Sequence, residues 1–184
     1  MTRTVFITGG ASGIGFGIAE FLGQQGHRIL IVDINEQAAI AACETLSAQN
    51  ISCRPVALDV TDAVAISQLN ETLHDETIDI LVNNAGIQHV ARIEDFPPEK
   101  WQLLINIMLV APAILTQAFL PAMRERNFGR IINVGSIHSV IASPYKSAYV
   151  AAKHGLLGFA KTIALETGEH DITINTLCPA YVKT

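Results

Sequence analysis

Thr4-Val5-Phe6-Ile7-Thr8, running into Gly9-Gly10-Ala11-Ser12-Gly13-Ile14-Gly15, decides how the chain folds. The first five residues, rich in β-branched and aromatic side chains, read as a buried strand, and the glycines close it into a turn. From Ile14 to Gln25 the apolar spacing is that of a helix. Glycine permits the tight turn, lets backbone N–H groups approach a pyrophosphate, and lets the helix sit directly on the strand. The helix N-terminus adds partial positive charge without a basic residue. Gly9, Ser12, Gly13, Ile14 and Gly15 are therefore candidates for holding a phosphate-bearing ligand. The plainer reading is an ordinary turn.

Outward from this turn the same alternation repeats. Strands are expected at Ile29–Asp33, Val56–Leu58, Ile78–Val82, Ile131–Val134 and Ile172–Leu177. Helices are expected at Glu36–Gln49, Ala63–His74, Glu99–Arg126 and Ser147–Gly168. Nearly continuous apolar strands separated by helices mean parallel βαβ units and an α/β, doubly wound (Rossmann) sheet covered on both faces. The 184 residues form a single domain. Pro55 cannot donate to a ladder, which places the third strand at an edge and predicts the order 3-2-1-4-5-6. The chain stops at Thr184, just past the sixth strand, so that strand's apolar outer edge is left unprotected. The domain therefore reads as shortened at its C-terminal end.

Composition narrows the class. With 49% apolar and 16% charged residues, disorder is excluded. Lys and Arg total 12 against 17 Asp and Glu, for a net charge of −5, which argues against a nucleic-acid surface. Cys43, Cys53 and Cys178 are odd in number and form no CxxC pair. Neither a disulfide framework nor a metal site is expected from them, and the compartment reads as reducing and cytoplasmic. The first strand begins so early that no secretory leader is expected. Trp101–Met123 carries no charge, but Gln102, Asn106, Thr116, Gln117, Pro112 and Pro121 interrupt it. It reads as a helix buried on two sides, by its own sheet and by a second subunit, rather than as a membrane span.

Asp33 closes the second strand about 20 residues beyond the turn, where a carboxylate can accept hydrogen bonds from adenosine ribose hydroxyls. It would repel a 2′-phosphate, so NAD is expected over NADP. Its alternative role is to cap the turn before the helix at Glu36. Further along stand Asp59-Val60, Asn83-Asn84-Ala85-Gly86, Ser136, Tyr149-x-x-x-Lys153 and Pro179-Ala180-Tyr181-Val182-Lys183-Thr184. Together with the glycine turn, these motifs make the whole chain resemble the short-chain dehydrogenase/reductase family. The resemblance implies cofactor contacts at Asp59 and Val60 for adenine, at Asn83, Ala85, Gly86, Tyr149 and Lys153, and at Pro179, Val182 and Thr184 in a segment flanking the nicotinamide. Ala180 stands where the family usually has glycine. The resemblance also implies an NAD-dependent oxidoreductase and a homotetramer or homodimer built through the helices at 99–126 and 147–168. It further implies a substrate lid, helices and a seventh strand beyond Thr184.

Tyr149 and Lys153 lie one helical turn apart on one face, about 6 Å along the axis. Bringing a tyrosine from about 10 to near 7 takes roughly 4 kcal/mol of differential stabilisation. An ammonium and a nicotinamide cation in a desolvated cleft can supply it. The expected roles are Tyr149 as general base, Ser136 as holder of the substrate oxygen, and Lys153 as ribose ligand and tuner of the phenol. The resemblance implies an asparagine on the fifth helix that organises a water beside the lysine, and here that position is Met108. Asn106 points about 200° away around the helix. Two readings stand. Either the enzyme is weakened or silent, or the Met108 main-chain carbonyl, deprived of a donor by Pro112, takes over.

Gln88, His138 and Lys146 flank these groups in sequence and suit a small hydroxy acid: an ammonium for the carboxylate's charge and two hydrogen-bonding groups for direction. Each has a plainer role, in a turn, in a loop cap and as a solvated charge respectively. A non-catalytic dinucleotide-binding protein and another alcohol or hydroxy-acid oxidoreductase are the competing functions.

Overall fold

The computed structural model describes residues 2–73 and 76–182, so His74, the expected end of one helix, and Thr184, an expected cofactor contact, lie outside it. Its six apolar runs pair as β1 (Thr4–Thr8), β2 (Arg28–Asp33), β3 (Cys53–Ala57), β4 (Ile80–Asn83), β5 (Gly129–Val134) and β6 (Ile172–Leu177). All are parallel, in the order β3-β2-β1-β4-β5-β6, as expected. β3 is the edge strand that Pro55 requires, and Pro55 stands in register with Ile31 of β2. The strand begins at Cys53 rather than Val56, because an edge position tolerates the missing N–H inside the strand.

The two faces of the sheet bury different residues of the same strands, as the period-2 alternation of side chains demands. Val5 and Ile7 join Ile29, Ile31 and Val82 beneath α1 (Gly13–Gln24) and α2 (Glu36–Ser47). Phe6 points the other way, among Leu30, Leu81 and Ile131, and meets Phe119 edge-on at 5.1 Å between ring centroids. Phe119 belongs to α6 (Ala111–Glu125), which shares that face with α7 (Ser147–Glu166).

Two expected helices are divided. The first breaks at Gln68 into α3 (Ala63–Ser67) and α4 (Leu69–Leu73), with Gln68 at φ −89° and ψ 0°. Ser67 Oγ donates to the Val64 carbonyl at 2.7 Å, a back-bond that favours such a bend. The long apolar helix is α5 (Pro98–Ile105), a π-helical turn (Asn106–Val110) and then α6. Pro112, which has no N–H, explains the interruption. By length and composition, 98–125 is apolar enough to cross a membrane, but Leu104, Met108, Leu115, Phe119 and Met123 are buried within the fold.

The cysteines correct one expectation. Cys43 of α2 and Cys53 of β3 form a disulfide, leaving Cys178 free. The turn after α2, with Asn50 at φ 61°, folds the chain back so that the helix lies against the strand it precedes. Neither spacing nor an odd count reveals such a closure, and the cysteine argument for a reducing compartment loses its premise.

Charge is distributed along the strands. Among the described residues, the ion pairs Arg3–Asp79, Arg28–Glu76, Arg54–Glu76 and Arg130–Asp171 all lie at or near the strands' N-terminal ends. The opposite end is left to the cleft.

Candidate active site

A cleft of about 820 Å³ opens at the C-terminal ends of the strands, over the switch point between β1 and β4. Open parallel sheets bind their ligands there, because the loops to either side diverge. Gly9, Ser12 and Ile14 line it after β1, Asp33 after β2, Asp59 and Val60 after β3, and Ala85, Gly86 and Gln88 after β4. β5 contributes Ser136 and His138, β6 contributes Pro179 and Val182, and the start of α7 brings Lys146, Tyr149 and Lys153. Met108 enters from the π-turn.

Three expected cofactor contacts, Gly13, Gly15 and Asn83, are not among the residues that line the cleft. Gly13, at φ 54°, shapes the turn, and Gly15 is buried under it. Asn83 turns into the sheet, where its Nδ2 donates to Asn133 Oδ1 at 2.9 Å. The residue the expectation passed over is Asn84. Its Nδ2 donates to the carbonyls of Thr8 and Gly9, both at 2.9 Å, while Thr8 Oγ1 accepts from the Asn84 and Ala85 N–H groups at 3.0 Å. Asn84 thus straps the turn after β4 to the glycine turn after β1. An asparagine amide donates twice, and two adjacent carbonyls freed at a strand end were the available signal.

Asp33 lines the cleft, and of its two expected roles the hydrogen bonds show the one in the turn before α2. Its Oδ1 accepts from the Asn35 N–H at 3.1 Å, and Asn35 in turn caps α2 by accepting from Ala38 N–H. Its Oδ2 accepts from the Ala11 N–H of the glycine turn at 3.4 Å, which holds the carboxylate at the cleft. Asp59 is fixed in the same way, accepting from the Thr61 N–H and hydroxyl.

At the other end of the cleft, Ser136 Oγ accepts from the His138 N–H at 3.2 Å and caps the short 3₁₀ turn Ile137–Ser139. The His138 ring stands edge-on to Tyr149, 6.0 Å between centroids, and its buried Nδ1 has no hydrogen-bond partner among the described residues. Lys153 lies 5.6 Å from the centre of the Tyr149 ring. Tyr145, immediately before Lys146, is held at φ 66°, and its carbonyl accepts from the Ala91 N–H. That bond ties the loop carrying Lys146 to the loop carrying Gln88.

Lys153 is only 5% exposed, donates to the Val134 carbonyl at 2.7 Å, and has no carboxylate partner among the described residues. Burial pulls its pKa down to about 8, against a weaker opposing effect of Cys178. Between about 8 and the ordinary value of 10.5, the unfolded chain binds more protons than the folded one, so stability rises with pH there. Below that window both states carry the proton, and the buried ammonium's penalty is constant. Lys153→Met abolishes the effect. In thermal melts, wild type is expected to gain on the variant across this window by roughly 3 kcal/mol, and parallel curves would refute the assignment.

Met108 is buried, and its thioether packs beside Gly86. In the π-turn the Ala111 N–H donates to Asn106, five residues back, and Pro112 has none to give. The Ile107 carbonyl therefore loses both of its regular donors, and Met108 loses its α-helical one. Both residues line the cleft. The freed acceptors expected at Met108 thus include Ile107.

The arrangement fits a nicotinamide dinucleotide. Gly9, Ser12 and Ile14 line the cleft at the α1 N-terminus, where a pyrophosphate would sit, the Asp33 carboxylate lies where it would flank a ribose, and the buried Lys153 ammonium lies beside Tyr149 at the far end. Fold and site together define a dinucleotide-dependent oxidoreductase. The family model "short chain dehydrogenase" matches residues 3–184, and the chain belongs to that family. It is 45% identical over 184 residues to the D-beta-hydroxybutyrate dehydrogenase of Cupriavidus necator, covering 99% of this chain and 71% of that one. It is 33% identical to the 3-oxoacyl-(acyl-carrier-protein) reductase of Escherichia coli K12, covering 99% and 74%. A crystal structure of a 3-oxoacyl-(acyl-carrier protein) reductase with bound NAD from Brucella melitensis superposes with a TM-score of 0.91 at 30% identity, covering 97% of this chain and 70% of that one.

Proposed function

We propose that the protein oxidises (R)-3-hydroxybutyrate to acetoacetate with NAD, reversibly. The observation that carries this reading is one cleft with Asp33 at one end and Ser136, Tyr149 and Lys153 gathered with Gln88, His138 and Lys146 at the other. Bound there, the nicotinamide supplies or accepts the hydride. Tyr149 Oη takes the alcohol proton, and Ser136 Oγ orients the same oxygen. Lys153 keeps a positive charge against the Tyr149 ring and is available to the ribose. Lys146 neutralises the substrate carboxylate, while His138 and Gln88 direct it. Asp33 favours NAD by excluding a 2′-phosphate. The likeness to hydroxybutyrate dehydrogenases supports the substrate, and the long helices at 99–126 and 147–168 support a homodimer or homotetramer, which light scattering tests. Cytoplasmic location belongs to the same reading.

Absorbance of NADH formed from (R)-3-hydroxybutyrate tests the function, with a neutral secondary alcohol in parallel. Equal rates on the two would remove the carboxylate grip and return the chain to the wider class of alcohol and oxoacyl oxidoreductases.

Met108 favours a second reading, a dinucleotide-binding protein without turnover, because the relay asparagine is missing. The acceptors freed by Pro112 answer it, since a main-chain carbonyl holds a water as well as an amide does. Met108→Asn is accordingly expected to change the rate little. A gain of about a hundredfold, the lower end of what a positioned proton-transfer group contributes, would show that the side chain was needed.

A further inference from the structure

The Cys43–Cys53 corner lies outside the cleft and has no part in the proposed chemistry. Cys43 is on the buried face of α2, 5% exposed, and Cys53 is half-buried at the start of edge strand β3. Their Cα atoms are 5.3 Å apart, within the usual range for a disulfide, and the bond closes a loop with a sequence separation of 10. Among the described residues β3 has a strand neighbour on one side only, and Cys53 is the less buried of the two cysteines, so its sulfur is the one a small molecule would meet first. Cys53 is in register with Ile29, whereas the cleft begins where Asp33 pairs with Ala57. At 3.3 Å per residue the corner is about 13 Å along the strand from the cofactor site.

We propose that this corner is a thiol–disulfide exchange site for low-molecular-weight disulfides of the glutathione type, one that staples β3 to α2 when oxidised. The Cys53 thiolate attacks one sulfur of the small disulfide, breaking its S–S bond, and a mixed disulfide forms as one thiol leaves. The Cys43 thiolate then attacks the Cys53 sulfur and releases the second small thiol. Two electrons pass from the cysteines to the small disulfide, and the two cysteine protons end on the two released thiols. A small dithiol reverses both steps. Oxidation removes conformational freedom from the unfolded loop and so raises the melting temperature, by about 5–10 °C for a loop of this size in a chain of this length.

The test uses the whole chain in a Cys178→Ser background, equilibrated with either glutathione disulfide or dithiothreitol. It is then alkylated with N-ethylmaleimide in denaturant and weighed by mass spectrometry. The oxidised sample is expected to take up no maleimide and to give one cross-linked peptide joining Cys43 to Cys53, and the reduced sample to take up two. Two maleimides after oxidation, or a glutathione adduct persisting on Cys53, would overturn the site. Melts of the two forms should differ by the stated interval, and Cys53→Ser should abolish the difference. Equal melting of the oxidised and reduced forms would overturn the staple. None of these readouts depends on turnover, so the outcome is independent of the proposed substrate.

Discussion

Tyr149→Phe lowers the rate of NADH formation from (R)-3-hydroxybutyrate by at least about a thousandfold, the scale of a lost general base, and leaves NAD affinity and melting temperature unchanged. The expectation follows from what the substitution removes. Tyr149 packs against the cluster of Phe96, Leu104, Met108, Ala148 and Ala152, and its ring meets His138 edge-on; phenylalanine keeps that packing. Only the hydroxyl is lost. No neighbour can replace it. Ser136 Oγ already accepts from the His138 N–H, and the Lys153 ammonium, which donates to the Val134 carbonyl, has no lone pair to take a proton. Stopped-flow rates give the first number, and titration of the variant with NADH by fluorescence gives the second. A variant that retains its rate moves the base elsewhere, and one that loses NADH binding makes Tyr149 a cofactor ligand first.

The parts of the fold that could be read in advance are those governed by local rules. Nearly continuous apolar, β-branched runs placed the strands, and one missing N–H at Pro55 placed β3 at the edge and so ordered the sheet. Boundaries failed where packing overrode local pattern, as at Gln68, where side-chain back-bonds divide one apolar periodicity into two short helices. The disulfide was hidden for a different reason. Its two sulfurs meet only because α2 folds back onto β3, and a count of cysteines holds no information on that geometry.

In the site, motif residues whose side chains face the cleft were legible from chemistry alone, since ionisable and hydroxyl groups there have few other uses. Lys153 shows the limit. Its place beside Tyr149 follows from helical spacing, but its bond to Val134 of β5 and its depressed pKa come from α7 lying across that strand. Asn83 and Asn84 show it more sharply. They are adjacent and identical in type, but β4 ends between them: Asn83, in register with Asn133, bonds across to β5, while Asn84, past the strand end, reaches the glycine turn. Ile107 became visible only once the π-turn assigned the Ala111 donor to Asn106.

Gly15→Ala is the stability counterpart of the tyrosine variant, with an expected loss of about 3–5 kcal/mol from overpacking and a broken hydrogen bond together. A Cβ on Gly15 would stand 2.5 Å from Asn84 Nδ2, and closer still to the Gly9 carbonyl oxygen. Those two atoms are the donor and acceptor of the 2.9 Å bond that straps the glycine turn to the turn after β4. A single methyl group therefore wedges apart a partly buried hydrogen bond, and one of its partners is backbone that cannot swing aside. In a chain of this length such a loss lowers the melting temperature by roughly 10 °C. It also displaces Gly9 from the phosphate position, so NADH binding falls with it. Gly17 is the control. It is exposed on the same helix, nothing lies within 4 Å of its Cβ position, and Gly17→Ala is expected to stabilise α1 by up to about 1 kcal/mol. Calorimetry of both variants, with and without NADH, decides the matter. A Gly15→Ala protein that melts and binds like Gly17→Ala would mean that the Asn84 strap does not hold the glycine turn in place.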